Sequence, residues 1–208
     1  MTAARFITLE GGEGVGKSTQ LRALAAVLRA RGLEVVETRE PGGSPGAEAV
    51  RDLLLTGVAD RWSPRAEALL FAAARADHVG KIIRPALQRG AWVVSDRFID
   101  SSRAYQGMGE LTDEDILTLH RIGSSGFLPD RTFVLTLPDV EAESRAQTRD
   151  GGDSDRIGGR DRAFHQQVAQ AFSRFATMEA DRIRAIDASG EAQAVTTRLL
   201  QGLDDLLP

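Results

Sequence analysis

The sequence predicts an α/β protein in which helices cover both faces of a parallel β-sheet. Short apolar runs alternate with longer segments of helical character along the whole 208-residue chain. The first apolar run is followed at once by a glycine-rich turn and then by a helical segment, which is the order strand, loop, helix. Such alternation is typical of a parallel sheet that lies between two helical layers.

The same pattern defines the individual elements. Five runs are predicted as strands, at residues 6–9, 33–37, 91–94, 132–137 and 183–186. Eight segments are predicted as helices, at residues 17–30, 47–55, 64–79, 82–88, 112–122, 140–148, 163–180 and 192–207. Glycines stand just after two of these helices, where glycine commonly ends a helix. The Gly/Asp/Arg-rich loop at residues 150–159 is too short to link two domains, so residues 1–208 are expected to form a single domain.

Composition narrows the class of protein. Hydrophobic residues make up 42% of the chain and charged residues 27%, which is ordinary for a soluble globular protein. The absence of cysteine excludes disulfides, thiolate metal sites and thiol catalysis. No apolar run approaches the length that spans a membrane, and the segment before the first predicted strand is too short for us to expect a secretory signal. The net charge of −4 argues against broad nucleic-acid binding. We therefore expect a cytoplasmic protein with no membrane or nucleic-acid partner.

Residues 11–18 form a phosphate-binding motif. Their sequence, GGEGVGKS, fits the pattern Gly-x-x-x-x-Gly-Lys-Ser/Thr, between a predicted strand and a predicted helix. Glycines allow the backbone N–H groups to surround phosphate oxygens, and the start of the helix adds its positive dipole end. A plain connecting turn is the alternative, but the Lys-Ser pair and the context argue against it. The predicted nucleotide-binding residues are Gly11, Gly12, Glu13, Gly14, Val15, Gly16, Lys17, Ser18 and Thr19.

This P-loop predicts ATP and Mg²⁺ as ligands. Lys17 is expected to contact the β- and γ-phosphates, and the Ser18 hydroxyl to bind Mg²⁺. Asp96, at the end of the third predicted strand, is the candidate second metal contact, and Arg97 follows it as a candidate catalytic cation. A surface ion pair at a strand end is the alternative for Asp96 and Arg97.

Arginines surround the loop at residues 150–159. Their density suggests a lid, at about residues 149–162, that closes on the triphosphate and excludes water. Arg149 and Arg156 are the candidate catalytic cations of this lid. A solvated charged loop is the alternative for any one of them. The arginines concerned are Arg145, Arg149, Arg156, Arg160 and Arg162.

Taken together, these segments resemble bacterial thymidylate kinases over nearly the whole chain. Besides the P-loop, the resemblance rests on four segments that P-loop ATPases at large lack. They are TREPGGS at residues 38–44, LLFAAAR at 69–75, DRF with SSRAYQG at 96–107, and DRI at 155–157. Gly158 stands where the family often has glutamate, and Asp77 where an amide is common. The P-loop has no arginine and the lid has several, a division that resembles the bacterial subgroup.

The resemblance implies a fold, an activity and a set of roles. It implies a three-layer P-loop fold with a five-stranded parallel sheet, commonly assembled as a homodimer, which transfers phosphate from ATP to thymidylate (dTMP). Phe71 would stack on the thymine ring and Glu13 would contact the sugar 3′-hydroxyl. The other implied acceptor contacts are Arg51, Arg75, Arg97, Ser102, Tyr105 and Gln106. Taken singly, Phe71 also fits core packing and Arg75 a solvated side chain.

Two other functions remain open from the sequence. One is a kinase for another nucleotide or a deoxynucleoside, which the base-facing residues would discriminate. The other is a P-loop switch or motor ATPase, against which stands the compact chain without a second nucleotide-sensing insertion. The three histidines are not required for phosphoryl transfer and are expected to be surface or core residues.

Overall fold

A five-stranded parallel sheet forms the centre of the protein. The computed structural model describes residues 3–138, 141–142 and 155–208. Within them the strand order is β2-β3-β1-β4-β5, and all four neighbouring pairs are parallel. The strands are β1 (Phe6–Glu10), β2 (Val35–Arg39), β3 (Trp92–Asp96), β4 (Arg131–Thr136) and β5 (Ile183–Asp187).

Helices cover both faces of this sheet, so the predicted α/β class is confirmed. They are α1 (Lys17–Ala30), α2 (Pro45–Leu55), α3 (Pro64–His78), α4 (Arg84–Gln88), α5 (Ile99–Gln106), α6 (Asp113–Ser124), α7 (Arg162–Met178) and α8 (Ala192–Gln201). Helices α1 and α8 pack together on one face. Helices α3 to α7 lie on the other face, where α2 packs against α3.

The central strand shows how the sheet separates the two core layers. Every residue of β1 is buried. Ile7 and Leu9 point into the layer under α1 and α8, whereas Phe6 points into the layer that holds Phe98 and Ile83. This is the two-residue period of a strand. Because both faces of β1 are covered, residues 6–9 are largely apolar without alternation, which is the property that identified the strand in the sequence.

The main differences from the predicted extents concern residues 64–88, the last helix and β2. The predicted helices 64–79 and 82–88 are one continuous helical path whose middle turn, Val79–Ile83, is π-helical. Pro85 follows that turn and has no N–H to donate to the preceding turn. The last helix ends at Gln201 rather than at residue 207, and its C-cap Gly202 lies against the Phe133 ring, where no side chain would fit. Strand β2 is displaced two residues toward the C-terminus by its register against β3.

One helix was not predicted and another lies outside the described residues. Helix α5 has a polar sequence, IDSSRAYQ, with a weak apolar pattern. Its start is held by Glu10 of β1, whose carboxylate accepts a hydrogen bond from the Phe98 N–H (2.8 Å). Of the predicted helix at residues 140–148, only Glu141 and Ala142 are described, and both are helical.

The described part of the chain has no helix long and apolar enough to cross a membrane.

His120 is a core residue of the layer formed by α3 and α6. It is 2% exposed, and its Nε2–H donates to the Phe127 carbonyl (2.8 Å). Its Nδ1 is buried and has no hydrogen-bond partner among the described residues. Burial, followed by the charge of Arg75, lowers the pKa of His120 from 6.5 to about 4. A protonated His120 would place an unpaired charge in the core.

Stability should therefore fall on acidification in a way that depends on His120. Between pH 6.5 and about 4 the unfolded chain binds a proton that the folded chain does not, so lowering the pH through this window favours unfolding. From pH 7 to pH 5 the loss assigned to this residue is about 2 kcal/mol. Urea unfolding of the wild type and of His120→Gln at pH 7 and pH 5 measures it as the difference between the two pH slopes. Equal slopes would contradict the assignment.

Candidate active site

One cavity of about 830 Å³ runs along the carboxyl ends of the strands. β1 lies between β3 and β4, so the chain connections run in opposite directions on its two sides. Open α/β sheets bind their ligands at the carboxyl ends of the strands at such a point. The cavity extends from the P-loop to α3 and α5. Of the predicted site residues, those that line it are Glu13, Gly14, Val15, Gly16, Lys17, Ser18, Thr19, Arg51, Phe71, Arg75, Asp96, Arg97, Ser102, Tyr105 and Gln106.

The P-loop forms an anion cradle at one end of the cavity. Gly16 has φ of 90° and stands before the first residue of α1, and no side chain caps the helix. The first-turn N–H groups of α1 are thus left to an anionic ligand. Gly11 has φ of 129°, and a Cβ there would lie 2.5 Å from the Leu135 carbonyl oxygen. Gly11 is therefore required by a close approach to the strand beside it.

Lys17 is held inside this cradle. Its ammonium group donates to the carbonyl oxygens of Gly11 (3.2 Å) and Gly12. Burial, followed by the charge of Arg97, lowers the pKa of Lys17 to about 8. The carboxylates of Glu13 and Asp96 act in the opposite direction. Lys17 and Arg97 together form a cationic centre that suits a phosphate chain.

The two predicted metal contacts meet directly. The Ser18 hydroxyl donates to Asp96 Oδ2 at 2.6 Å, although the residues are 78 positions apart in the sequence. Both present oxygen atoms, the ligands that Mg²⁺ prefers. Because Mg²⁺ usually takes one or two protein oxygens and completes its shell with water and substrate phosphates, this pair fits a Mg²⁺ site beside the cradle.

Arg97 connects the P-loop to α5. Its guanidinium donates to the Gly11 carbonyl and to Ser101 Oγ (both 3.0 Å), and it pairs with the Glu13 carboxylate. The backbone of Arg97 has φ of 70°, an unusual left-handed conformation for a residue other than glycine. Such strain is maintained only where the surroundings determine it, and the Arg97 side chain lines the cavity.

Glu10 anchors the same region from behind. Besides the Phe98 N–H, its carboxylate accepts from the Ser101 hydroxyl. Burial, followed by the neighbouring Asp100 carboxylate, raises the pKa of Glu10 to about 8. This buried group was not predicted as a site residue, because a polar residue at the end of a strand gives no sign of the contacts it makes in the fold.

A second cationic group lies at the opposite end of the cavity. Arg75 is 3% exposed and donates to Glu40 (2.8 Å) and to Ser102 Oγ (2.8 Å). Glu40 also bonds His78 Nδ1 at 2.9 Å, so His78 belongs to a buried network. Because Glu40 and Ser102 hold Arg75 on both sides, its guanidinium is a fixed donor in the cavity wall.

Apolar side chains form a slot beside Arg75. Phe71 is partly buried and packs against the cluster that contains Tyr105 and Ile157. Leu55 joins the same cluster and also lines the cavity. Arg97 lies 5.1 Å from the centre of the Tyr105 ring, which connects the slot with the cationic centre. Phe71 is thus both a packing residue and a cavity residue, so its two sequence interpretations are compatible.

The predicted lid is described only from residue 155 onward. Arg149 lies outside the described residues. Arg156 is buried and donates to the Leu54 carbonyl (2.7 Å), the Ala59 carbonyl (3.2 Å) and the Glu67 carboxylate (2.6 Å). It is not among the residues that line the described cavity. These contacts favour a positioning role for Arg156, and its assignment as a catalytic cation stays a prediction.

Several cavity residues were given no individual role from the sequence, although most of those on the acceptor side lie in the segments that carry the family resemblance. On the acceptor side they are Arg39, Glu40, Pro41, Leu55, Phe98, Ser101, Asp155 and Ile157, and beyond the P-loop they are Gln20, Arg22, Ala188, Gly190, Glu191, Ala192 and Val195. The second group belongs to α1 and to the region from the end of β5 into α8. The general rule that ligands bind at the carboxyl edge of a parallel sheet would have identified the segment after β5.

The sheet, the cradle and the cationic cavity define a P-loop nucleotide-binding protein. The thymidylate kinase family model matches residues 9–199. The chain belongs to the thymidylate kinase family.

Individual relatives match over nearly their full length. Thymidylate kinase of Rhizorhabdus wittichii is 64% identical over 98% of this chain and 99% of its own. Thymidylate kinase of Caulobacter vibrioides is 48% identical over 96% of this chain and 95% of its own. The crystal structure of thymidylate kinase from Ehrlichia chaffeensis superposes with a TM-score of 0.75 at 32% identity, covering 97% of this chain and 99% of that one.

Two adjacent glycines of the cradle should respond differently to alanine. Gly11→Ala would place a methyl group against Leu135 at a strained φ, whereas a Cβ at Gly12 meets nothing within 4 Å. Gly11→Ala should lose about 1–3 kcal/mol of stability and weaken triphosphate binding, and Gly12→Ala should change stability far less. Thermal unfolding and calorimetric titration with a nucleoside triphosphate measure both effects. Two variants of equal stability would show that the close approach at Gly11 is unimportant.

Proposed function

We propose that this protein transfers the γ-phosphoryl group of ATP to thymidylate, giving ADP and dTDP for dTTP synthesis. A phosphate oxygen of thymidylate attacks the γ-phosphorus, and the bond from that phosphorus to the β–γ bridging oxygen breaks. The attacking group is already an anion, so the reaction needs positioning and charge neutralisation more than a strong base.

The continuity of the cavity is the observation that supports this function best. The P-loop cradle and the slot beside Arg75 open into one space, with Arg97 between them. A donor triphosphate in the cradle and an acceptor monophosphate in the slot would therefore place their phosphates near the same guanidinium. The names of the relatives, thymidylate kinase throughout, support thymidylate as the acceptor.

On the donor side we assign the contacts of ATP to the P-loop. The backbone of residues 11–19 would surround the phosphates, and Lys17 would contact the β- and γ-phosphates. Ser18 and Asp96 would hold Mg²⁺, which when bound supplies positive charge to the phosphate oxygens. Arg97 is the cation expected to stabilise the charge of the moving phosphoryl group or of the acceptor phosphate.

On the acceptor side the slot would hold the nucleotide base. Phe71 would stack on the ring, and Arg75, Ser102 and Gln106 would contact the polar edge of the base. Tyr105 would pack beside the deoxyribose. We assign the sugar 3′-hydroxyl to Glu13, and the acceptor phosphate to Arg97 and Arg51, whose side chain lines the cavity and donates to the Pro41 carbonyl (2.7 Å).

Four further expectations belong to the same proposal. The chain would form one domain with a lid at about residues 149–162, in which Arg149 and Arg156 are the candidates for a catalytic cation. The enzyme would act in the cytoplasm. It would form a homodimer through helices, which is supported by the exposed apolar side chains Leu69 of α3 and Ile122 of α6, on two helices that pack together.

A monophosphate panel tests the function directly. ADP release with ATP and Mg²⁺ should depend on added monophosphate, and kcat/KM should be highest for thymidylate. Adenylate and guanylate should be poor, because a slot shaped for a pyrimidine cannot admit a purine without repacking. Deoxyuridylate should be disfavoured by only ~1–3 kcal/mol, the usual worth of one methyl group. A purine monophosphate that exceeded thymidylate would overturn the substrate, and ATP turnover without any acceptor would favour an ATPase instead.

Lys17→Ala should nearly abolish transfer while the fold remains intact. The ammonium group acts on charge that develops at the phosphates, so the expected loss in kcat is about a hundredfold or more, or ~3 kcal/mol. The other lysine of the chain, Lys81, pairs with Asp77 on the protein surface, and Lys81→Ala is the matched control. Steady-state assays and circular dichroism of both variants give the comparison. Near-normal turnover of Lys17→Ala would contradict the P-loop assignment.

A further inference from the structure

Glu67 is a buried carboxylate directly behind the acceptor slot. It lies in the first turn of α3, one helical turn before Phe71, and is 3% exposed. It is not among the residues that line the cavity. Three groups converge on it: Arg156 Nη2 at 2.6 Å, Arg160 Nη2 at 2.7 Å, and Gln106 Nε2 at 2.9 Å. Both arginines belong to the segment 155–161, and Gln106 ends α5.

The chemistry of Glu67 decides how the Gln106 amide is turned. A carboxylate offers only acceptor atoms, so the group of Gln106 that faces it must be the NH₂ and not the carbonyl. The two guanidinium groups hold the carboxylate in place by charge-assisted hydrogen bonds. Arg156 is itself fixed by the Leu54 and Ala59 carbonyls, so the carboxylate has a rigid support on the side away from Gln106.

The other end of the Gln106 amide has no partner among the described residues. Its Oε1 is buried and accepts no hydrogen bond, although the residue lines the cavity. Buried polar atoms are usually paired, so an unpaired acceptor in a cavity wall indicates a ligand that donates. Arg75 lies in the same wall. Ser102, to which Arg75 donates, is one helical turn before Gln106 on α5.

We infer that Glu67 is a positioning residue for base recognition: it turns the Gln106 amide so that Oε1 accepts from a ring N–H of the acceptor base. The inference deepens the proposed function and rests on it. The cavity wall then presents a donor, Arg75, beside an acceptor, Gln106 Oε1. This arrangement is complementary to a carbonyl beside a ring N–H, which is the imide edge of thymine or uracil. Cytosine presents the reverse order, an amino group beside an unprotonated ring nitrogen. The pair therefore selects imide pyrimidines, and Glu67 maintains that selection from outside the cavity.

The test compares thymidylate with deoxycytidylate. Wild-type enzyme, Glu67→Gln, Gln106→Leu and the double variant are assayed for kcat/KM with both monophosphates. Glu67→Gln should lower the thymidylate-to-deoxycytidylate ratio by about tenfold, because the amide is free to turn over. Gln106→Leu should lower the ratio similarly, and Glu67→Gln in the Gln106→Leu background should add no further change, since Glu67 acts through Gln106.

Two additional variants separate positioning from stability. Glu110→Gln removes an exposed ion pair with Arg65, which lies on α3 as Glu67 does. This variant should leave the ratio unchanged. Glu67→Asp keeps a negative charge opposite Arg156 and Arg160 but moves the carboxylate away from Gln106. It therefore allows the same ratio to be measured if Glu67→Gln does not fold. For a folded Glu67 variant, an equal loss of activity on both monophosphates with an unchanged ratio would overturn the inference and leave the proposed function standing. Wild-type enzyme inactive on thymidylate would overturn both.

Discussion

The contact between β1 and the loop after β3 is the constraint on which the site depends. Glu10 ends β1 immediately before the P-loop, and its carboxylate binds the Phe98 N–H and the Ser101 hydroxyl at the start of α5. The residue next to Phe98, Arg97, donates back to Gly11 in the P-loop. The phosphate cradle and the helix that carries the acceptor pocket are thereby held to each other by two sets of hydrogen bonds. Because both ends lie on adjacent parallel strands, a shift of either strand would move the cradle and the acceptor slot apart.

Buried ion pairs extend this constraint through the acceptor side. Glu40 holds Arg75, and Glu67 holds Arg156 and Arg160. Such pairs contribute little net stability, because both partners lose their hydration, but removing one partner leaves a buried charge and is strongly destabilising. Their value in this fold is geometric. Each carboxylate keeps a cation or an amide in one orientation, so the walls of the cavity present fixed donors and acceptors before a ligand binds.

The sequence predicted the fold class and the phosphate cradle well because both depend on local patterns. Residues 6–9 of β1 are buried on both faces of the sheet and are largely apolar, and residues 11–18 carry glycines at their positions of positive φ. Helix α5 was missed because its polar sequence is helical through a tertiary contact at Phe98 rather than through its own periodicity. The last helix was predicted to continue to residue 207, whereas it ends at Gln201 with Gly202 as its C-cap.

The sequence by itself determined the parallel α/β architecture, the P-loop and the resemblance to thymidylate kinases, which the family match and the relatives confirm. The tertiary structure decided which distant residues meet: Ser18 with Asp96, Arg75 with Glu40 and Ser102, and Glu67 with both the Arg156 segment and Gln106. It also placed Arg156 against the Leu54 and Ala59 carbonyls and the Glu67 carboxylate, while its role as a catalytic cation stays a prediction. The physical reason is that periodicity and glycine positions act over a few residues, whereas an ion pair between residues 89 positions apart depends on how the layers pack.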